Sequence, residues 1–374
     1  MKALFTTFPA YGHLLPMLPL ARAVAAAGDS VVIAAHRDLH GTAPELTMRD
    51  AGPGLPALLA ENSARFSEDV LEYRSDTEGD GVLAATVALF STTYADLAFD
   101  ERLELVTDSQ PDVIVCEMWD FVTPLVAQKL GVPYVTFTHS PATVIDPVLA
   151  AGAEKAGAQR GLRVPSPLAT VQLWPEWLET LPVSADSRLA VRSSAYDVSA
   201  RVDLPAFSGS RPVVLVTLGT VVEDLELLRS AVRAVLSAGA DALVTTGFTA
   251  TPTMLETGAL EADASRVRAV SFAPIGQLLD RVQAVVAAGG SGTTLAALSR
   301  GLPMLFVPKI ANQPQVAAAV TEFGAGLTPG SPAEGVPRLL SDANLRARAA
   351  EARALLAERP SPEDVWSELR TRLG

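Results

Sequence analysis

The chain has 374 residues, of which 49% are hydrophobic, and its 42 acidic and 29 basic residues give a formal net charge of −13. A chain this acidic lacks the stripe of basic residues with which proteins bind nucleic acid. It also has no run of about 18 uncharged apolar residues, which would predict a membrane span. The single cysteine excludes an internal disulfide, and the four histidines have no spacing typical of a zinc site. We therefore expect a globular, cytoplasmic protein of two domains that holds no metal.

Short apolar runs alternate with alanine- and leucine-rich helical stretches in both halves of the chain. The predicted strands are, in order, Ala3–Thr6, Val31–Ala35, Val113–Cys116, Tyr134–Phe137, Val213–Leu218, Ala242–Thr245, Val267–Val270, Ala284–Ala287 and Met304–Val307. Buried runs separated by helices predict parallel sheets that are covered on both faces. The fold class is therefore α/β, with two Rossmann-like, doubly wound parallel-sheet domains facing a cleft.

A stretch from about 160 to 212 separates the two halves. It is rich in Pro, Ser and Trp and shows little periodicity, so its end is interpreted as the linker. This predicts an N-terminal domain at 1–205, a C-terminal domain at 206–360, and a C-terminal helix at 361–374 that packs back on the N-terminal domain. Because open parallel sheets bind ligands beyond the carboxyl ends of their strands, the strand-end loops of both domains are expected to serve one ligand.

The loop after the first strand contains Gly12 and His13. An imidazole exchanges protons near neutral pH, and the glycine beside it lets the main chain approach a ligand closely. Two carboxylates, Glu117 and Asp120, follow the third strand, and one of them is expected to hold the far nitrogen of the imidazole. The alternatives stay open at this point: the histidine could simply cap or pack, and either acid could be a solvated loop charge.

A glycine-rich turn at 287–301 lies between a buried run and a helical segment that is closed by Gly301. Free main-chain N–H groups in such a turn, with a helix dipole behind them, form a site for an anion such as phosphate. Neither the P-loop pattern nor G-x-G-x-x-G fits the stretch. A tight turn whose glycines only permit close packing is the alternative.

Motifs spread over both halves of the chain form one pattern. They are Gly12-His13-x-x-Pro16 with Pro19-Leu20-Ala21, Val216-Thr217-Leu218-Gly219-Thr220, Phe272-Ala273-Pro274, Gly289-Gly290-Ser291-Gly292-Thr293-Thr294, Gly301-x-Pro303, Pro308 and Gln313. Together they resemble the nucleotide-sugar glycosyltransferases of the GT-B fold, and most of all the bacterial branch, of macrolide and enediyne type, that glycosylates antibiotics and other natural products. The likeness covers nearly the whole chain and is weakest from about 140 to 210.

The resemblance implies an N-terminal acceptor domain, a C-terminal donor domain, and inverting, metal-independent transfer of a sugar from a nucleoside diphosphate. His13 falls on the family's general base and Glu117 on its orienting carboxylate, with Asp120 as a possible substitute. The positions matched to donor binding are Gly12, Thr220, Phe272 at the nucleobase, Gly289, Gly290, Ser291, Gly292 and Thr293 at the diphosphate, and Asn312 and Gln313 at the sugar. The resemblance thus implies a nucleotide-sugar co-substrate and no resident cofactor.

The sequence departs from the family pattern at positions that bear on the donor. Ala288 replaces the usual histidine before Gly-Gly, which implies weaker stabilisation of the leaving group. Asn312 replaces the usual aspartate and suits a deoxy, keto or amino sugar, because an amide donates as well as accepts. Ala296 stands where uridine-using relatives often carry glutamate, so we expect a thymidine diphosphate (dTDP) deoxysugar.

A large, apolar natural product is the expected acceptor, because aromatic side chains fall in candidate cleft loops or in the middle segment: Phe8, Tyr11, Trp119, Trp174 and Trp177. Scattered aromatic residues also occur in hydrophobic cores, so the sequence does not identify the acceptor. No nucleic-acid or membrane partner is expected, and a homodimer is one possible assembly.

Two other functions remain open on the sequence. One is a non-catalytic GT-B-like protein that activates a partner enzyme, with Ala288 as the trace of a decayed donor site. The retention of His13, Glu117 and Gln313 counts against this, since decay should not spare the rest of the site. The other is a sugar-nucleotide epimerase, which needs more carboxylates around the sugar than this sequence offers.

Overall fold

The computed structural model describes residues 1–66, 80–143, 145–183, 187–196, 207, 209–220, 222, 224–247, 251–255 and 265–374. They form two compact units. The first comprises Met1–Pro175, Leu181–Arg192 and Arg359–Gly374, and the second comprises Glu176–Thr180 and Ser193–Glu358. The predicted domain boundary at 205/206 lies outside the described residues.

The first unit is built on a parallel sheet with the strand order β3-β2-β1-β4-β5-β6-β7. Its strands are β1 Lys2–Thr6, β2 Ser30–Ala34, β3 Thr47–Arg49, β4 Val113–Glu117, β5 Tyr134–Thr138, β6 Ala169–Gln172 and β7 Arg188–Ala190. Thr6 lies opposite Cys116, and Glu117 lies opposite Phe137. The carboxyl ends of β1, β4 and β5 are therefore neighbours at one edge of the sheet.

Helices cover this sheet: α1 Tyr11–Leu14, α2 Leu18–Ala26, α3 Leu55–Phe66, α4 Asp80–Phe90, α5 Thr92–Ser109, α6 Thr123–Leu130 and α7 Asp146–Ala158. The short α1 continues into a 3₁₀ turn at Leu15–Met17 that carries Pro16, and α2 has Pro19 in its first turn. A proline is tolerated there because the first-turn N–H groups have no partner within the helix.

One stretch in the described residues, Gly81–Ser109, is long and apolar enough to cross a membrane by length and composition. It covers most of α4 and all of α5, and more than half of its apolar window is buried inside the protein. Tyr94, Ala98 and Phe99 belong to the hydrophobic core of the first unit. Since a buried core helix passes the same test, the stretch is weak evidence for a membrane span.

The second unit repeats the plan with a parallel sheet in the order β10-β9-β8-β11-β12-β13. Its strands are β8 Val213–Thr217, β9 Asp241–Thr245, β10 Val267–Val270, β11 Ala284–Ala287, β12 Met304–Phe306 and β13 Gly326–Leu327. Its helices are α8 Leu225–Ser237, α9 Ile275–Leu279, α10 Ser291–Leu298, α11 Gln313–Phe323, α12 Pro332–Ser341 and α13 Ala343–Ala357. Two doubly wound parallel sheets confirm the predicted α/β class.

The C-terminal helix α14, Pro362–Leu373, belongs to the first unit. Ser361 and Asp364 form a capping box at its start, which satisfies two free N–H groups. Trp366 is buried and donates its indole N–H to Oδ2 of Asp29, 2.8 Å away, and α14 contacts α2. Residues 361–374 thus pack on the unit that begins with Met1.

Every strand expected from the sequence is present, but β3, β6, β7 and β13 were not predicted. Each has two to four residues. So short a segment contains too few positions to display a period of two. β6 and β7 lie in the middle segment, for which the sequence predicts little regular structure; β6 pairs with β5 and β7 pairs with β6, both parallel, and together they extend the first sheet.

Candidate active site

His13 lies in α1, in the loop region that follows β1 in the first unit. Its side chain is 13% exposed. The ring of Phe8, which is buried, lies 5.1 Å from the imidazole and tilted against it. The N-terminus of α1 has no side-chain cap, so the helix depends on its surroundings for its position. The imidazole of His13 therefore lies, nearly enclosed, in the region that follows the carboxyl end of β1.

Glu117, the last residue of β4, is fully buried between two imidazoles. Nδ1 of His13 lies 3.1 Å from its Oε2, at ion-pair distance but without the alignment of a hydrogen bond. Nε2 of His139 lies 2.9 Å from its Oε1 and forms a hydrogen bond. Since β1, β4 and β5 are adjacent, residues that follow these strands meet at one point.

The carboxylate of Glu117 stays ionised despite its burial. Burial alone raises the pKa of a carboxyl group, but here the charge of His13 and the interactions with both imidazoles outweigh it. The pKa falls from 4.5 to about 2. The site therefore contains a fixed negative charge near neutral pH.

An ionised carboxylate only accepts hydrogen bonds, and this fixes the tautomers of its neighbours. Nδ1 of His13 faces the carboxylate, which favours the tautomer with the proton on Nδ1 and the lone pair on Nε2. An imidazole held in this tautomer by a carboxylate can accept a proton from a hydroxyl group and is stabilised once charged. The arrangement is suited to general base catalysis.

Asp120, the second predicted carboxylate, is engaged elsewhere. Its Oδ2 lies 3.3 Å from Nη1 of Arg102 and 2.6 Å from the hydroxyl of Thr123. Its Oδ1 accepts the main-chain N–H groups of Val122 and Thr123, at the start of α6. Asp120 thus secures the loop and the helix after β4, and the structure brings Glu117 rather than Asp120 to His13.

His139 was missed by the sequence reasoning, although a signal for it existed. It follows β5 directly, and β5 had been predicted as a strand. Side chains after adjacent parallel strands converge. Applied to the strand after Glu117, the rule that placed His13 and Glu117 together would also have placed His139.

Donor atoms of His13, Glu117 and His139 lie within 4.8 Å of one another and form the group that could hold a metal ion in the part of the chain described. They come from three distant segments, so no sequence spacing marks them. Each carboxylate oxygen already faces one imidazole, so the charge of Glu117 is met without an ion. The expectation of a metal-free site stays a prediction.

Of the aromatic residues proposed for the acceptor, Phe8 and Trp119 both have their rings 5.1 Å from the imidazole of His13. The ring of Trp119 also lies 5.2 Å from that of Phe90. Trp174 is instead fully buried in the core of the first unit. Trp177 belongs to the second unit and packs on Phe323, with 4.6 Å between the ring centres. Only part of the expected apolar surface therefore adjoins His13.

In the second unit the predicted phosphate turn joins β11 to α10. Gly290 is the N-cap of α10, and no side chain caps the first turn. Ser291 is buried, Gly292 is exposed and Thr293 is half-buried. The first-turn N–H groups of a helix need an outside partner, and an anion supplies one. The turn is therefore suited to binding phosphate.

Gly289 and Gln313 tie this turn to the next strand-end loop. Gly289 has φ +102°, and a Cβ at this position would lie 3.0 Å from the carbonyl oxygen of Gln313. Oε1 of Gln313 accepts the N–H groups of Lys309 and Ile310, at 2.8 and 3.1 Å. Since Oε1 is occupied, the amide N–H₂ of Gln313 is the end that can donate to a ligand.

The remaining predicted donor residues also follow strands of the second sheet. Thr220 lies in the turn after β8, Phe272 follows β10, and Asn312 is the N-cap of α11, after β12. All three are half-buried. Phe272 has the ring of Tyr196 6.2 Å away. Apart from Gly12, which lies in α1 of the first unit, the predicted donor residues therefore follow strands of the second sheet.

Three predicted glycines are not required by the protein's own packing. A Cβ at Gly12, Gly290 or Gly292 would meet nothing within 4 Å, and none of the three has a positive φ. An alanine would fit each position. Their small size therefore leaves room beside the main chain, as close approach of a ligand requires.

Ala288 and Ala296 are both buried, each 2% exposed. Ala288 belongs to the apolar cluster of the second unit with Val286 and Val307. An imidazole at position 288 would therefore have to displace core side chains. The methyl group of Ala296 is likewise enclosed, so it gives no support to the thymidine assignment.

Comparison with known proteins shows which proteins this chain resembles. Residues 254–371 match the family described as "Erythromycin biosynthesis protein CIII-like, C-terminal domain". The elloramycin glycosyltransferase of Streptomyces olivaceus is 29% identical, and the alignment covers 100% of this chain and 98% of that protein. The glycosyltransferase SnogD from Streptomyces nogalater is 28% identical with a TM-score of 0.79, covering 99% of both chains.

Glycosyltransferase VinC, solved in complex with dTDP, is 25% identical with a TM-score of 0.75, covering 100% of this chain and 99% of that one. The likeness extends over nearly the whole of this chain, and so over both units. The chain is therefore a glycosyltransferase of the GT-B type that resembles the natural-product glycosyltransferases of Streptomyces.

Proposed function

We propose that the chain is an inverting glycosyltransferase that moves a deoxysugar from dTDP to a hydroxyl group of a natural-product acceptor, without a metal ion. The observation that carries the proposal is the pair formed by His13 and Glu117, 3.1 Å apart at the carboxyl edge of the first sheet. A nearly enclosed imidazole beside a buried carboxylate is an arrangement for taking a proton from a hydroxyl group.

The transfer is proposed to proceed as a single displacement. The acceptor oxygen attacks the anomeric carbon while Nε2 of His13 takes the hydroxyl proton. The bond from that carbon to the diphosphate breaks, and the nucleoside diphosphate leaves with the bonding electrons. Attack opposite the leaving group inverts the configuration. Glu117 then stabilises the charged imidazole, and Asp120 is assigned no part because it holds Arg102.

The second unit is proposed to bind the donor. The first-turn N–H groups of α10, the hydroxyls of Ser291 and Thr293, and the helix dipole would stabilise the charge that grows on the diphosphate. The amide N–H₂ of Gln313 is proposed to bind a sugar oxygen, since its Oε1 is held by the main chain. Thr220 and Phe272 are proposed to contact the nucleoside.

The dTDP assignment is supported by VinC, the 25% identical protein solved with dTDP. The deoxysugar is supported by Asn312, a half-buried amide that can both donate and accept. Cytoplasmic location, the possible homodimer and the absence of a resident cofactor stay predictions.

Nucleotide binding and turnover together test the proposal. Calorimetry with dTDP and UDP should give at least equal affinity for dTDP, and turnover of dTDP-deoxysugars with apolar acceptors should be unchanged by a chelator. The anomeric configuration of the product, determined by NMR, should be inverted. Retention of configuration, dependence on added metal or a clear uridine preference would each contradict one part of the proposal.

The same experiment separates the two alternatives. Binding of dTDP without turnover on any acceptor would favour the auxiliary protein. Interconversion of the nucleotide sugar without an acceptor would favour the epimerase. The pairing of His13 with an ionised Glu117 counts against an auxiliary role, since a protein that does no chemistry has no use for an oriented base.

A further inference from the structure

The carboxylate of Glu117 has two imidazole neighbours, and the contact with His139 is the better formed. The hydrogen bond from Nε2 of His139 to Oε1 is 2.9 Å long. The approach of His13 to Oε2, at 3.1 Å, is not aligned as a hydrogen bond. In this arrangement it is His139, rather than the proposed base, that anchors the carboxylate.

The topology of the first sheet explains the position of His139. β4 and β5 are adjacent, and Glu117 lies opposite Phe137, two residues before His139. The rings of His13 and His139 are 5.3 Å apart at 82°, and His139 is 5% exposed. A buried imidazole N–H needs a partner, and Glu117 provides it.

We propose that His139 is a positioning residue for the base: it holds the Glu117 carboxylate so that Oε2 stays opposite His13, and it shares the negative charge with His13. The terminal torsion of a glutamate is broad, so a carboxylate held at one end only could rotate away from the imidazole. This inference rests on the proposed function and adds a residue to it.

The other charged or titratable groups near Glu117 either have partners of their own or carry no charge. The imidazoles of His13 and His139 both lower the pKa of the Glu117 carboxyl group. Arg102, on α5, is paired with Asp120 at 3.3 Å and with the hydroxyl of Tyr94 at 3.2 Å. Cys116, the neighbour on β4, is buried, and burial raises the pKa of its thiol, so it adds no negative charge.

Two substitutions of His139 test the inference. His139→Phe removes the N–H donor, whereas His139→Gln retains one. We expect His139→Phe to lower kcat about 10–100-fold with the Kd of dTDP unchanged, and His139→Gln to recover most of the loss. The acid limb of the pH–rate profile should move to higher pH in His139→Phe, because the full charge of Glu117 then holds a proton on His13 more tightly.

A double-variant cycle separates positioning from a general structural role. If His139 acts through Glu117, His139→Phe should cost nothing further in a Glu117→Gln background. His40→Gln is the matched control and should retain wild-type kcat. Among the hydrogen bonds of the described residues, the ring of His40 makes one, with the carbonyl oxygen of Ala35 at 3.0 Å. Additive losses, equal losses in the Phe and Gln variants, or an unmoved acid limb would overturn the inference.

A failure of the proposed function can be distinguished from a failure of this inference. A wild-type protein with no transfer on any donor would remove the proposed function, but the contact could still be tested by NMR titration of the His13 imidazole. A shift of its midpoint to higher pH in His139→Phe supports the inference, and an unchanged midpoint overturns it.

Discussion

The two units build their strand-end sites from different materials. In the first, buried side chains meet: His13 and His139 lie on either side of Glu117, 3.1 and 2.9 Å away. In the second, the main chain dominates, with an uncapped helix start after Gly290 and a loop fixed by Gln313. Both sites nevertheless occupy the carboxyl ends of parallel strands.

The difference follows from the chemistry that each site is proposed to perform. Proton transfer needs a titratable group in a set tautomer, so the first site depends on which side chains are present and on their charge. Anion binding needs only N–H groups, which almost every residue has, so the second site depends on shape and space. Substitutions should therefore damage the first site through charge and the second through added volume.

The largest expected effect is that of His13→Ala. Removing the base should lower kcat by about 10²–10⁴-fold, the usual contribution of a general base. The Kd of dTDP, measured by calorimetry, should not change, because the donor is proposed to bind to the second unit. Loss of dTDP affinity or retained turnover would contradict the division of labour between the units.

The two acids of the first unit should behave differently. Glu117→Gln is expected to lower kcat about 100-fold, because the neutral amide no longer stabilises the charged imidazole. Asp120→Asn should leave Arg102 buried without its counter-charge and cost about 3 kcal/mol of folding free energy, with kcat per folded molecule little changed. Kinetics combined with thermal unfolding of both variants distinguishes the two. A rate loss confined to Asp120→Asn would reverse the assignment.

Two glycines of the second unit provide a matched pair. Gly289→Ala places a side chain at φ +102° against the carbonyl of Gln313 and should cost about 1–3 kcal/mol of stability. Gly292→Ala enters open space in the first turn of α10 and should be neutral or slightly stabilising, because alanine favours a helix. Its dTDP affinity should nevertheless fall about tenfold. Unchanged affinity would mean that the diphosphate does not bind beside residue 292.

Glu117 should also make the stability of the protein sensitive to acid. Its folded-state pKa of about 2 is below the ordinary value of 4.5, so its contribution to stability is complete above about pH 4.5 and is lost as the pH falls toward 2. The melting temperature of wild type should therefore fall more steeply between pH 5 and 2 than that of Glu117→Gln. Parallel curves for the two proteins would show that Glu117 does not carry this charge.

Sequence patterns predicted strands such as β4, β8 and β11, because an apolar run of four residues between helical stretches leaves little choice of structure. They did not find β3 or β13, which have three and two residues. They also could not tell Trp174, a core residue, from Trp119, which lies beside the base. The residues around neither tryptophan show whether its ring is part of the core, and only packing separates the two.

By itself, the sequence determined the class of fold and pointed to the loops that contain the candidate sites. Apolar periodicity fixes which segments are strands, and the glycine-rich turn and the motif around His13 are local features. Tertiary structure alone decided which acid faces the imidazole, since Glu117 and Asp120 are only three residues apart but point to different partners, His13 and Arg102. It also showed that His139 contacts Glu117: the sequence places His139 just after a predicted strand, but the contact depends on the pairing of that strand with β4.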